Sequence, residues 1–519
     1  MRKQILILAL VLTGYFVNAQ IHVGPGQPYA DIGAASSARV IHAGDTVYIH
    51  AGTYRGSILI DSLVGTPAKW ITIRPYNSDS VSILGQWTVT RTHYTRFYGL
   101  TFNGDDSASW TNGTIYHQLF FNYNYVCFND LANIVVDSCQ FMNLLTGPNK
   151  YTTTSTAGNV SVKFTGTDSF LVSRCLFHGN AGSEGLSMNG DRNGTVKNNR
   201  FDPPVPGTGS GWASHCKGGS SNITIRQNLY INWPYGGMDI GGDTGPSFFC
   251  PLIDDTVYEA DSISFYSNIL IGGQTCIRLA SLCNSNIINN TCFESNEFTV
   301  RLLQEDASVR FANNNIYNNI FTIVNTGLGY NEFYINETGG LPYNTFLLTN
   351  NLFYSYSDAA LGLSGIYQDV GSVNPAIISG SVFGNPMFND TAMMDFSLKK
   401  GSPAIGAGLT VAAPATDYYG NPYSATARSI GAIEYNGHLG IENYETENTI
   451  VVYPNPAQNE LYVSSNGKIS RITITNLIGQ TLFSHEYNTE GVQVSVAGLP
   501  SGVYFVKVNG VEVREFVKE

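Results

Sequence analysis

Between residues 21 and 435 the chain is written in short runs of alternating apolar and polar residues, separated by bends rich in Gly, Asn, Asp and Ser. Thr46-Val47-Tyr48-Ile49 and Gly52-Thr53-Tyr54-Arg55 are two such runs. A period of two sends successive side chains to opposite faces, so each run predicts a strand. A longer repeat lies over this one: strand-forming residues, then Asn or Cys, then any residue, then a large apolar residue. Copies are Ser138-Cys139-Gln140-Phe141, Arg174-Cys175-Leu176-Phe177, Asn198-Asn199-Arg200-Phe201, Gln227-Asn228-Leu229-Tyr230, Ser267-Asn268-Ile269-Leu270, Asn318-Asn319-Ile320-Phe321 and Asn350-Asn351-Leu352-Phe353, with a looser one at Asn290. Their spacings are 36, 24, 29, 40, 22, 29 and 32 residues. A base period of this size with insertions suits one turn of a parallel β-solenoid. Coils would stack ~4.8 Å apart with apolar side chains inside. An amide at a bend would then bond its copies above and below.

Register within the coil predicts where chemistry would sit. About 12 residues before each Asn or Cys the chain reads apolar–X–apolar: Val126-Cys127-Phe128, Val162-Lys163-Phe164, Leu186-Ser187-Met188 and Ile277-Arg278-Leu279. Cys216-Lys217-Gly218 takes the same place before Asn228, and Met238-Asp239-Ile240 and Val300-Arg301-Leu302 share the pattern. A residue between two inward neighbours points outward. Cys127, Lys163, Ser187, Lys217, Asp239, Arg278 and Arg301 are therefore expected in one outward column.

Composition makes that column unusual. The 519 residues include 27 Lys and Arg against 39 Asp and Glu, a formal net charge of −12, and charged residues are only 13%. Gly is 54, Tyr 31 and Asn 49. This balance excludes a helical bundle, intrinsic disorder and non-specific nucleic-acid binding. Stacked cations repel, so a column with four of them in an acidic chain implies an anionic ligand such as a uronate or sulfated polysaccharide. A β-eliminating lyase needs a base for the proton α to the uronate carboxylate and cations to neutralise that carboxylate. Lys217 is the expected base, and Arg278 and Arg301 the neutralising cations. Lys163, Asp239, Gln304 and Glu305 are expected to contact substrate. Asp239, Asp243 and Glu259 are the expected oxygen ligands of a Ca²⁺ ion, should one be bound. The other reading is purely structural, with Lys217 pairing with Asp239 and Asp239 with Arg278. Two further alternatives stay open: a non-catalytic glycan-binding adhesin and a glycoside hydrolase. The insertion at 243–257, with Pro246, Phe248, Phe249 and Pro251, is expected to overhang the column.

The ends give the destination. Arg2 and Lys3, an apolar run from residue 5 to 12 and Val17-Asn18-Ala19 read as a signal peptide over residues 1–19. The run is shorter than the ~20 apolar residues of a membrane span. Residues 436–449 are polar and read as a linker. From residue 450 to 519, Tyr453-Pro454-Asn455-Pro456, Asn476-Leu477-Ile478-Gly479-Gln480 and Leu499-Pro500-Ser501-Gly502-Val503-Tyr504 punctuate short alternating strands, which predict a small β-sandwich. These strings resemble a type A sorting domain of the type IX secretion system, which implies export across an outer membrane by that machinery. The eight Cys residues form no Cys-x-x-Cys pair, and most are expected to be buried free thiols.

The body resembles a known superfamily as well. Val23-Gly24-Pro25-Gly26-Gln27-Pro28-Tyr29, a helix-like segment at 30–37, Gly401-Ser402-Pro403-Ala404-Ile405-Gly406 and Ile430-Gly431-Ala432-Ile433-Glu434 are similar to the opening and closing strings of right-handed parallel β-helix proteins of the pectate-lyase-like superfamily. That resemblance implies an all-β fold over residues 20–435, a right-handed parallel β-helix with an N-terminal cap, here followed by the sandwich. It implies no single activity. The Gly-His-Gly string of polygalacturonases and the Trp-Ile-Asp-His string of the main pectate lyase family are missing. A monomer is expected.

Overall fold

The computed structural model describes residues 19–104, 117–122, 127–144, 159–179, 184–204, 211–242, 244, 249–250, 258–303, 311–324, 333–338, 346–357, 366–368, 379–436, 451–453, 455–476, 480–509 and 512–519. Residues 1–18 of the expected signal peptide, nearly all of the linker, Asp243, Gln304, Glu305 and most of the 243–257 insertion lie outside them. The chain divides into two compact units, Met1–Tyr435 and Asn436–Glu519.

The first unit is a right-handed parallel β-helix. Its described strands form three long parallel sheets of 15, 12 and 11 strands. One coil runs through Val160–Thr165, Asp168–Ser173 and Leu176–His178, one strand per sheet. The next, through Glu184–Asn189, Arg192–Lys197 and Arg200–Phe201, lies on it with Val162 beside Leu186 and Phe177 beside Phe201. The large apolar residue of each repeat points inward. Phe102, Phe141, Phe177, Phe201 and Tyr230 stack in one file with ring centroids 5.1, 5.2, 4.4 and 4.8 Å apart. Before the first coils a short helix, Ile32–Ser37, starts at Asp31, whose carboxylate accepts the Ala34 N–H at 2.8 Å.

The Asn of each repeat forms a buried ladder. Asn199, Asn228, Asn268, Asn290, Asn319 and Asn351 are each 2% exposed or less. In each, Nδ2 donates to a backbone carbonyl of the neighbouring coil, as Asn268 does to Ile225 at 3.0 Å. From Asn228 onward its Oδ1 accepts both the N–H and the Nδ2 of the previous Asn, both at 3.0 Å between Asn228 and Asn268, while Asn199 Oδ1 accepts the Cys175 N–H at 2.9 Å. Cys139 and Cys175 hold the same place in earlier coils, their thiols facing Phe97 and Val136 carbonyls at 3.6 and 3.7 Å. The preceding residue is left-handed throughout, φ 53° at Arg174, 55° at Asn198 and 60° at Asn318, which turns the chain from one sheet to the next. Asn268→Leu should orphan the Asn228 N–H and the Ile225 carbonyl and lower stability by about 2–5 kcal/mol. A thermal midpoint close to that of wild type would refute this; Asn268→Cys should cost less.

The described residues of the second unit form five antiparallel strands: Val451–Tyr453, Glu460–Asn476, Thr481–Ser495, Gly502–Val508 and Glu512–Lys518. The two long strands shift register between Ser464 and Ile469. Leu461 and Val463 from one side of the shift and Ile472 and Ile474 from the other meet Val494, Val506 and Phe516 in a single core.

The cysteine expectation needs correcting. Cys127–Cys250 and Cys276–Cys292 are disulfides, so half of the eight are paired, while Cys139, Cys175, Cys216 and Cys283 are buried thiols outside these bridges. Cys276 and Cys292 both point into the core of one coil and meet across it. Cys127 stands in a turn, not on a strand, because the strand of its coil is His117–Asn122.

Candidate functional site

The outer face of the 11-stranded sheet is where the expected column falls. Pairing stacks Phe120, Lys163, Ser187, His215, Asp239, Arg278 and Arg301 in one row. Lys163, Ser187, Asp239, Arg278 and Arg301 thus stand together as expected. Two members do not. Phe120 replaces Cys127, and His215 replaces Lys217. The reason for the second shift is Ser214, which fills the inward position paired with Leu186 and Met238 and is fully buried. With Ser214 and Cys216 both inward, His215 between them faces out. Lys217 lies one outward position further along, beside Asn189.

The centre of the row is a charged network. Asp239 is fully buried. Arg278 grips it with two nitrogens, Nε on Oδ1 at 2.6 Å and a terminal nitrogen on Oδ2. His215 Nε2 faces Asp239 Oδ2 at 2.8 Å and the Gly241 carbonyl at 2.8 Å, while Nδ1 faces Glu184 Oε1 at 3.2 Å. The Asp239–Arg278 pair of the structural reading is present, with His215 in the place assigned there to Lys217. The sequence pattern does not place His215 or Glu184 in this network, because the neighbour inside the coil is Ser214 for the one and Gly185 for the other, not a large apolar residue.

Protonation follows from this packing. Burial works against charge on His215, but the adjoining Asp239 carboxylate overrides it and raises the imidazole to about 9. Burial likewise opposes ionisation of Glu184, yet its bond to His215 brings it down to about 2. Asp239 is also held below the carboxylate range despite burial, by His215 and Arg278. At neutral pH His215 is a cation between two carboxylates and has no lone pair with which to act as a base. The carboxylates contribute stability above their ordinary range and lose it as pH falls towards 2; the imidazolium contributes below 6.5 and loses it as pH rises through about 9. The thermal midpoint should therefore be highest between about pH 4.5 and 6.5, and His215→Gln should flatten the alkaline fall. An unchanged alkaline limb in that variant would contradict the assignment.

Cations surround this core. Burial pushes the Lys163 ammonium below its ordinary value, with Lys217 adding to the effect and Glu184 and Asp191 opposing it. Arg278 lies over the Trp212 ring at 5.4 Å and Arg301 over Phe298 at 4.8 Å. Gly242, at φ 150°, roofs the lysine end: a Cβ there would stand 3.0 Å from His215 Nε2 and 3.4 Å from Lys217 Cδ. The described middle of the insertion reaches the same place, since Cys250 packs on Gly190 and donates its N–H to Gly218 at 3.3 Å.

The calcium expectation meets carboxylates that are otherwise engaged. Both Asp239 oxygens face Arg278 or His215, and Glu259 accepts the Gly218 N–H at 2.8 Å and the Thr244 N–H. Among the described residues no three His, Cys, Asp or Glu converge on one point, and Asp243 is not among them. As placed here, Asp239 and Glu259 are turned to partners within the protein.

Residues 451–518 match the secretion system C-terminal sorting domain. This domain directs the protein to secretion or cell-surface attachment through the type IX system. No described helix is long and apolar enough to cross a membrane. No curated protein matches the chain in sequence. Solved structures of similar backbone include the PL6-family alginate lyase AlyGC, at 14% identity and TM-score 0.37 over 85% of this chain and 60% of that one. The chain thus spans about three fifths of that protein's length. The pectate lyase Pel9A aligns at 13% identity and TM-score 0.43 over 81% and 97% of the two chains. The PL6-family polysaccharide lyase Pedsa3628 from Pseudopedobacter saltans aligns at 13% and 0.43 over 80% and 99%. Likeness at this level carries no inference about residues or activity.

Proposed function

We propose that this protein is a secreted polysaccharide lyase that cleaves an acidic, uronate-containing glycan by β-elimination on the outer face of the 11-stranded sheet. The observation that supports this most is the gathering of cations there: Lys163, Lys217, Arg278 and Arg301 stand with His215 on one face, among the carboxylates of Asp239, Glu184, Asp191 and Glu259, in a chain of net charge −12. Lys217 takes the proton α to the sugar carboxylate. Arg278 and Arg301 neutralise the charge that develops on that carboxylate; as the carbon–carbon double bond forms, the bond from the neighbouring carbon to the glycosidic oxygen breaks, and that oxygen takes a proton from water. Lys163 lines the path, and the buried Asp239 acts beneath it by holding Arg278 and His215 in place.

A hydrolase is less well supported. It needs one carboxylic acid and one carboxylate flanking the bond, and Asp239 and Glu184 both stand ionised against His215. A non-catalytic glycan-binding protein draws support from the Asp239–Arg278 pair, which already spends one cation inside the protein. The experiment is incubation with polygalacturonate, alginate and glycosaminoglycans, with and without Ca²⁺. Unsaturated, ultraviolet-absorbing products are expected from one of them. Binding with neither absorbance nor new reducing ends would overturn the lyase reading in favour of an adhesin, and reducing ends without absorbance in favour of a hydrolase.

A further inference from the structure

The first coils carry a second constellation that glycan cleavage does not use. His22 stands on the strand Gln20–Val23, and His50 follows the strand Thr46–Ile49 of the next coil. The two strands pair in parallel, with His22 beside Tyr48, and His50 comes two residues after Tyr48. His22 Nδ1 and His50 Nε2 face each other at 2.7 Å. On its far side His50 Nδ1 faces Asp79 Oδ2 at 3.5 Å, and that oxygen also accepts the Ala51 N–H at 2.9 Å. Tyr76 stacks on the His50 ring at 4.5 Å between centroids and Tyr48 on His22 at 5.4 Å. Both imidazoles are thereby held in place with one nitrogen aimed at the other.

Asp79 favours the His50 tautomer with its proton on Nδ1, which leaves the Nε2 lone pair pointing at His22. A carboxylate behind a histidine raises the basicity of the nitrogen on the far side of the ring, the one that binds metal at such centres. We propose that His22 Nδ1 and His50 Nε2 bind one imidazole-preferring divalent cation of the Zn²⁺, Ni²⁺ or Cu²⁺ class, with Asp79 orienting His50. Metal–nitrogen bonds of ~2.0–2.1 Å hold the two nitrogens ~2.9 Å apart at a square-planar angle and ~3.3 Å apart at a tetrahedral one, so the pair opens by roughly 0.2–0.7 Å. Among the described residues no third His, Cys, Asp or Glu converges on this point, so water or an outside donor fills the remaining positions. The His50 side chain is 20% exposed, which leaves that access open. The ion ties the first coil to the second and, through Asp79, to the third. It does so where Gln20–Val23 forms the end of its sheet.

The test uses the full-length protein stripped with a chelator and titrated with Zn²⁺ by calorimetry. One equivalent should bind, and the melting midpoint should rise with Zn²⁺. His22→Ala and His50→Ala should each weaken binding by about tenfold or more, and Asp79→Asn by about tenfold. His178→Ala, which removes a histidine paired with Asp202 elsewhere, should leave binding unchanged. Circular dichroism checks that each variant is folded, and His22→Gln serves as the milder substitution. Nitrogen hyperfine structure in the spectrum of the Cu²⁺-loaded protein should vanish in the double variant. A stripped wild-type protein that takes up no Zn²⁺, or folded His22 and His50 variants that bind like wild type, would overturn the proposal.

Discussion

Replacing Asp239 by alanine is expected to lower stability by about 3–5 kcal/mol, the range for removing one partner of a buried ion pair. The reason lies in what the substitution leaves behind. Asp239 is fully buried, and it holds the Arg278 guanidinium on two nitrogens and the His215 imidazolium on one. Without it two cations, on the strands either side of its own, are left with no carboxylate between them. Their attraction for water cannot be met inside the sheet. Asp239→Asn should cost less, since the amide oxygen still accepts one hydrogen bond. Replacing Asp239 and Arg278 together by leucine and methionine should recover most of the loss, because no uncompensated charge then remains at that pair. Thermal melting of the three variants checks this. A double variant as unstable as the single one would mean that the pair contributes packing rather than charge compensation.

Lys217→Ala should cut turnover of the susceptible glycan by about 10²–10⁴ while leaving the fold intact, the range for removing a general base. The local structure explains why the two effects separate. Lys217 is the last residue of the strand Trp212–Lys217 and lies outside the core, whereas its neighbour Cys216 carries the inward packing. The substitution therefore removes an outward amine without opening a cavity. The loss should fall on kcat more than on KM, because Lys163, Arg278 and Arg301 still attract the polyanion. Progress curves of product absorbance for the wild type and the variant measure this directly. Unimpaired turnover would remove Lys217 from the role of base and move the search to Lys163, whose charged form burial already disfavours.

Much of the fold is a local property of this chain and is legible in the letters. Alternation with a period of two specifies strands, and the recurrent Asn or Cys followed by an inward aromatic specifies where each coil bends. The ladder through Asn199 and Asn351 and the file of Phe141, Phe177 and Phe201 are what that repeat becomes when coils stack. The outward row was legible wherever its flanking residues were apolar, as around Lys163, Asp239, Arg278 and Arg301. It was misread at Lys217 because the coil's inward positions are held by Ser214 and Cys216, and a serine carries no hydrophobic signal of being inside.

What no local pattern contains is contact between residues far apart in the chain. Cys127 and Cys250 are 123 residues apart and meet only because the coil register brings a turn and the middle of an insertion together. Glu184 and Asp239 reach the two sides of the His215 ring from the coils before and after it. Composition announced a chain short of charge and rich in amides, and the repeat explained the amides. The state of the few charges was decided in three dimensions, because a buried ion is stable only beside a partner, and stacking of coils chose those partners.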